Sequence, residues 1–131
     1  MSRTEEACRV AICDDQSGFR QMVTLVLNLD PDLQVIGEAA DGLEAIGVVR
    51  ELQPDILLLD IAMPVMDGLE ALPQIRQAAP DTQVVMLTGV VSESVRQRAL
   101  DAGASLFLEK GIGVNTLAAQ IKALRGEPSP V

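Results

Sequence analysis

No histidine occurs anywhere in the 131 residues, and tryptophan and tyrosine are absent as well. The first absence excludes His-based nucleophilic catalysis and a phosphohistidine carried by this chain itself. The second leaves Phe19 and Phe107 as the only aromatic rings, so the core must be built from Leu, Ile, Val and Ala, and no aromatic platform for a sugar exists. Basic residues are scarce: 10 Lys and Arg stand against 19 Asp and Glu, a formal net charge of −9. Duplex affinity rests largely on phosphate neutralisation by cations, so no direct nucleic-acid contact by this chain is expected. No apolar run approaches the roughly 20 residues of a membrane span, and the N-terminus lacks a signal-peptide pattern. A cytoplasmic protein without membrane contact is the expectation.

Cysteine is also sparse. Cys8 and Cys13 would lie about 17 Å apart in an extended stretch, beyond disulfide reach. With no histidine or third cysteine nearby, Cys13 reads as a small core residue rather than a ligand or nucleophile.

What is present is apolar and periodic. A 48% hydrophobic content suits one domain with a real core. Val10-Ala11-Ile12-Cys13, Ile56-Leu57-Leu58-Leu59, Val84-Val85-Met86-Leu87 and Leu106-Phe107-Leu108 read as strands, with Leu33-Gln34-Val35-Ile36 a further one. Between them, helical spacing appears in Phe19, Met22, Val23, Val26 and Leu27, and again in Leu43, Ile46, Val49 and Leu52. A third helix falls between Gly68 and Ala79; Pro73 predicts that it begins late, near Leu69 or Glu70, or bends. Ser92 caps a fourth ending at Gly103, and Leu117, Ile121 and Leu124 mark a fifth, ending at Gly126. A cryptic repeat runs through this pattern. Asp41-Gly42-Leu43-Glu44-Ala45-Ile46 and Asp67-Gly68-Leu69-Glu70-Ala71-Leu72 each lead, at equal spacing, to Pro54-Asp55 or Pro80-Asp81 and then a strand. Asp with Glu three later resembles a capping box, and Pro ends the helix before the strand.

Alternating strands and helices predict an α/β fold, a doubly wound five-stranded parallel sheet covered by five helices. Of the two common doubly wound orders, 2-1-3-4-5 is expected. The domain is expected over residues 1–125, with its core at 9–125; residues 126–131 read as a tail or the start of an interdomain linker.

Parallel strands share one carboxyl edge, where open α/β sheets bind ligands. Asp14/Asp15, Asp60, Thr88 and Lys110 all stand at strand ends and would meet there. Taken singly, each has an ordinary reading. A strand-end aspartate can simply form a turn or cap a helix, Lys110 can be a solvated lysine, and Thr88 a β-former. Together they make a site. Three carboxylates near 4 Å repel by about 4 kcal/mol per pair at an effective dielectric of 20, which calls for a cation; Mg²⁺, or Mn²⁺, suits oxygen ligands. Lys110 is expected to pair with Asp60. Thr88 and the Gly89 N–H have access to anything bound at Asp60. Acids, a metal, a lysine and a hydroxyl around one carboxylate suit phosphoryl transfer onto it. No G-x-G-x-x-G or Walker-type loop follows any strand.

On these residues the chain resembles bacterial two-component response-regulator receiver domains, from about Arg9 to Leu124. Asp14-Asp15 match the family's acidic pair, and Asp60-Ile61-Ala62-Met63-Pro64-Val65-Met66-Asp67-Gly68 its phosphoacceptor motif. Thr88-Gly89, Ala102-Gly103-Ala104 and Phe107-Leu108-Glu109-Lys110 supply the other signatures. The resemblance implies a flavodoxin-like fold in which Asp60 accepts phosphate from a sensor histidine kinase or phosphotransfer protein. Asp15 and Asp60 would ligate the metal directly, Asp14 mostly through water, and Ala62 through its backbone carbonyl. Thr88, Gly89 and Lys110 would bind the phosphoryl group, and Thr88 with Phe107 would form the switch; Phe107 as plain core packing is the other reading. The chain would act catalytically only on its own Asp60.

Departures from the family pattern carry expectations too. Gly111 follows Lys110 where many relatives have Pro, which implies a looser loop, and Phe107 replaces a commoner Tyr. Ala62 and Val90 offer no polar side chain to align water, so a slowly hydrolysed phospho-aspartate is expected. Met63-Pro64-Val65-Met66 reads as loop packing and the Leu117/Ile121/Leu124 stripe as core, although the neighbouring surface of the fourth and fifth helices is where relatives often form homodimers. The Gly37–Gly42 and Phe107–Lys110 segments are similar to receivers that precede a helix-turn-helix DNA-binding domain, so transcription control through a domain outside this chain is expected. A stand-alone receiver acting by protein contact is the alternative. Less favoured are a haloacid-dehalogenase-type aspartyl phosphatase, whose second Asp is replaced by Ala62, and a degenerate receiver that binds partners without phosphorylation.

Overall fold

The computed structural model describes residues 7–89 and 92–125. One parallel sheet has the order β2-β1-β3-β4-β5, with β1 at Cys8–Cys13, β2 at Leu33–Ala39, β3 at Ile56–Leu59, β4 at Gln83–Thr88 and β5 at Leu106–Glu109. Helices α1 (Ser17–Asn28), α2 (Gly42–Leu52), α3 (Gly68–Ala78), α4 (Glu93–Asp101) and α5 (Val114–Leu124) alternate with the strands. The architecture and strand order are those expected from the alternation of apolar runs.

The two-residue period of a strand divides the core into two layers. Ala11, Cys13, Leu57, Leu59, Val84 and Met86 pack against Ala45, Ile46 and Val49 of α2, Leu72 and Ile75 of α3 and Ala99 of α4. Their neighbours Val10, Ile12, Ile56, Leu58, Val85 and Leu87 face Val23 and Leu27 of α1 and Leu117 and Ile121 of α5. Covering both faces is why the strands are continuously apolar. Each Leu or Ile so buried contributes about 1.5–3 kcal/mol. Cys8 and Cys13, an odd number of residues apart, fall in opposite layers and form no disulfide.

The repeated Asp-Gly segments turn out to be helix starts with close backbone contacts. Asp67 caps α3 in a full capping box: its carboxylate accepts from Glu70 N at 2.8 Å, and Glu70 accepts from Asp67 N at 3.4 Å. Asp41 caps α2 by accepting from Glu44 N at 2.9 Å, but Glu44 reaches one residue further back, to Ala40 N. The α3 helix begins at Gly68, which overturns the later start inferred from Pro73. Pro73 lies on the exposed side of the helix, where water can replace the missing donor. The glycines are there for space. A Cβ on Gly68 would overlap the Asp60 carbonyl oxygen, and one on Gly42 would lie 2.6 Å from the Met66 oxygen. Gly68 N instead donates to Ile61 O at 2.9 Å, and Gly42 N to Met66 O at 2.9 Å.

Ser92 caps α4 by accepting from Val95 N, and Gly103 follows that helix at φ +110°, both as the sequence indicates. α5 ends at Leu124; Gly126 and the expected tail at 126–131 lie outside the described residues, as does Val90. The segment Lys110–Ile112 forms a turn of 3₁₀ helix.

Two glycine substitutions should separate crowding from propensity. Gly68→Ala should cost about 1–3 kcal/mol through overpacking against Asp60. Gly47→Ala, on the exposed face of α2 with nothing within 4 Å of its Cβ position, should stabilise by about 0.5–1 kcal/mol. Urea unfolding followed by circular dichroism measures both, and equal effects would refute the distinction.

Candidate functional site

Because β1 and β3 are neighbours with Cys13 opposite Leu59, the residues that follow them, Asp14 and Asp60, emerge side by side. Carboxylate oxygens of Asp14, Asp15 and Asp60 lie within 4.8 Å of one another. Asp14 and Asp60 are buried, at 2% and 4% exposure, whereas Asp15 is exposed. The β-strand ends are also tied together: Asp60 N donates to Cys13 O and Asp14 N to Ala39 O, each at 3.0 Å.

Lys110, at the end of β5, reaches back to this cluster. Its Nζ lies 2.7 Å from Asp14 Oδ2 and 3.1 Å from Asp60 Oδ2, with Gln16 Oε1 at 3.4 Å. The expected pairing with Asp60 is present, but Asp14 is the nearer partner. Burial alone lowers the lysine's pKa; the hydrogen bonds it donates to Asp14 and Asp60 outweigh that, and the ammonium is held above its ordinary value. The other carboxylate oxygens are occupied as well. Asp60 Oδ1 accepts from Ile61 N at 2.7 Å and Asp14 Oδ1 from Gln16 N at 2.9 Å.

A cleft of about 300 Å³ opens over the cluster, lined by Asp15, Gln16, Asp60, Ala62, Thr88, Gly89 and Lys110. Thr88 is the last residue of β4 rather than the first beyond it, and it is fully buried beneath exposed Gly89. Asp14 lies behind the lining. Phe107 does not line the cleft; it is partly buried against the layer beneath α2, α3 and α4. In register Phe107 sits opposite Met86, so strand parity puts Phe107 and Thr88 on the same side of the sheet. Cys13 lies close by, but burial first, then the charges of Asp41, Asp14, Asp60 and Glu44, push its thiol pKa upward. It stays a neutral core thiol.

The donor set suits a hard cation. Three carboxylates in one cluster, beside the backbone of Ala62 in the same cleft, supply oxygen only, as Mg²⁺ prefers. The ammonium of Lys110 already balances part of that charge. Two residues at the site were not singled out from sequence. Gln16 follows the acid pair directly, a positional hint. Phe19 fits the helix-core spacing of α1, yet its ring centroid lies 4.6 Å from Lys110 Nζ.

Residues 10–122 match the response regulator receiver domain. The chain belongs to that family, as the receiver domain of a two-component response regulator. It is 44% identical over 104 residues to protein-glutamate methylesterase/protein-glutamine glutaminase 2 of Photobacterium profundum, covering 78% of this chain and 26% of that protein. It is 36% identical over 121 residues to the transcriptional regulatory protein LiaR of Bacillus subtilis, covering 92% of this chain and 57% of LiaR. The chain thus spans about a quarter of the first relative and just over half of the second. The signal receiver domain of the response regulator NarL from Mycobacterium tuberculosis superposes with a TM-score of 0.87 at 30% identity, covering 93% of this chain and 98% of that one. Among the described residues no helix is long and apolar enough to cross a membrane.

Millimolar Mg²⁺ should raise the unfolding midpoint of this protein, because a ligand that binds only the folded state stabilises it by mass action. Asp15→Asn and Asp60→Asn should each lose most of that gain. Thermal scans with Mg²⁺ against EDTA read the difference, and an unchanged gain in both variants would remove the cation from this cluster.

Proposed function

We propose that Asp60 is a phosphoacceptor, phosphorylated by a sensor histidine kinase or phosphotransfer protein. The observation that carries this reading is the convergence of Asp14, Asp15 and Lys110 on one carboxylate at the floor of an open cleft. In the transfer, an Asp60 carboxylate oxygen attacks phosphorus and a P–O bond to the acceptor forms. The P–N bond to the donor imidazole breaks, and the departing nitrogen keeps the electron pair. Lys110 offers its ammonium to the incoming phosphoryl oxygens, and Thr88 and the Gly89 N–H donate to the others. Asp14, Asp15, Asp60 and the Ala62 carbonyl would hold Mg²⁺ or Mn²⁺, which supplies positive charge beside the transferring group. No second substrate is turned over; the chemistry ends on the chain itself.

A protein donor suits the surface of α1, the helix that starts beside the cleft. Met22 and Leu25 of α1 and Leu29 at its C-cap are exposed at 41%, 67% and 76%, and their spacing puts them on one side of the helix. An exposed apolar stripe fits protein contact better than small-molecule capture.

The switch we infer is a coupled rearrangement of Thr88 toward the phosphoryl group and Phe107 into the space it leaves. Residues 1–125 would act as the receiver unit, with 126–131 leading into an output domain. Similarity to the transcriptional regulatory protein LiaR supports transcription as that output. Homodimerisation on phosphorylation belongs to the same reading. With the chain's net charge of −9, DNA contact would fall to the output domain.

Intact mass after treatment with acetyl phosphate and Mg²⁺ tests the acceptor: a phosphate-sized gain is expected in the natural protein and none in Asp60→Asn. A gain in both, or in neither with a competent donor, rejects the assignment. Without a polar side chain at Ala62 or Val90 to align water, the phosphorylated protein should lose its phosphate over minutes or longer. Decay within seconds would contradict that.

A further inference from the structure

Phe19 stands in the first turn of α1, just beyond the acidic pair, and its ring faces the ammonium of Lys110 with 4.6 Å from Nζ to the centroid. The same ammonium is held by Asp14 and Asp60, and the lysine side chain is only 19% exposed. The ring is partly buried. It packs against the core layer beneath α1 and α5 and borders a cavity of about 190 Å³ shared with Met22, Val23, Leu87, Leu117 and Lys110 itself, so the ring has open space beside it on the side of the lysine. A π face attracts a cation, and a Phe-to-Leu change keeps apolar bulk while removing that attraction.

We infer that Phe19 is a positioning residue for Lys110: its π face holds the ammonium over Asp14 and Asp60, in the place a divalent cation needs, and aims it at a phosphoryl group on Asp60. This rests on the phosphoacceptor reading for its second half only. Two consequences of opposite sign follow. Weakening the ring contact lets the ammonium leave its carboxylates more readily, so a divalent cation competes better. The same change leaves the ammonium less well aimed during transfer, so phosphorylation slows once the cation is saturating. A residue that merely packs would move both in one direction.

Phe19→Leu and Phe19→Tyr make the comparison, the second keeping the π face. By titration calorimetry, Mg²⁺ should bind Phe19→Leu about two- to fivefold more tightly, the size of a partly exposed cation–π contact. Phosphorylation by acetyl phosphate at saturating Mg²⁺ should slow by a similar factor, while Phe19→Tyr should follow the natural protein in both. Proton NMR gives a third readout that needs no folded variant. With two aromatic rings in the whole chain, the Lys110 ε-methylene protons should be shifted upfield. Their appearance at an ordinary lysine position would overturn the inference. So would parallel losses of cation affinity and rate in Phe19→Leu, unchanged values in it, or equal behaviour of the two variants. If the natural protein accepts no phosphate at Asp60, the phosphoacceptor reading fails, and cation affinity and NMR still decide whether the ring positions the ammonium.

Discussion

Three carboxylates gathered at one sheet edge, balanced in part by one ammonium, are the constraint around which the rest of this molecule is arranged. Their mutual repulsion has to be overcome by the fold, and the fold does so by hydrogen bonding β1 to β3 as central neighbours, with Cys13 opposite Leu59. The four residues of β3 are buried to 1% exposure or less, so Asp60 stands on the least yielding part of the sheet. Lys110 then arrives from the opposite end of the chain and ties β5 to β1 and β3 through charge rather than through sheet pairing.

Rigidity is unevenly distributed. β3 is wholly buried, whereas β5 is intermediate or exposed at every position. Asp14, Asp15 and Asp60 therefore rest on the tightly packed centre. Phe107 and the Lys110 turn rest on a lightly covered edge, where local rearrangement costs least. α4, beside that edge, contributes a single buried residue, Ala99. Packing thus grades from a firm centre to a looser margin.

Much of this was legible in the sequence because two periods dominate it. Continuous apolar runs such as Ile56–Leu59 mean a strand buried on both faces, and helical spacing between them leaves one architecture. Strand-end placement brings Asp14, Asp15, Asp60, Thr88 and Lys110 to one edge by topology alone. What was hidden depends on geometry finer than a period. Pro73 argued for a late helix start, yet its exposed position lets α3 begin at Gly68. Glu44 and Glu70 occupy matching repeat positions, and only one closes a capping box. Lys110 prefers Asp14 because two strand ends and a 3₁₀ turn set its reach. Phe19 fits a helix-core pattern equally well whether or not a cation stands over its ring.

The hydrogen bond from Gly42 N to Met66 O joins the start of α2 to the segment that follows Asp60. Met66, Asp67 and Gly68 are at once the end of the loop after Asp60, the cap of α3 and the seat of α2, with Ala71 packed beside Gly42. Two helices are therefore moored to one short stretch of backbone. Any displacement of that stretch hauls on both, so α2 and α3 are braced as a single block, and freedom to respond is left to α4 and the β5 edge.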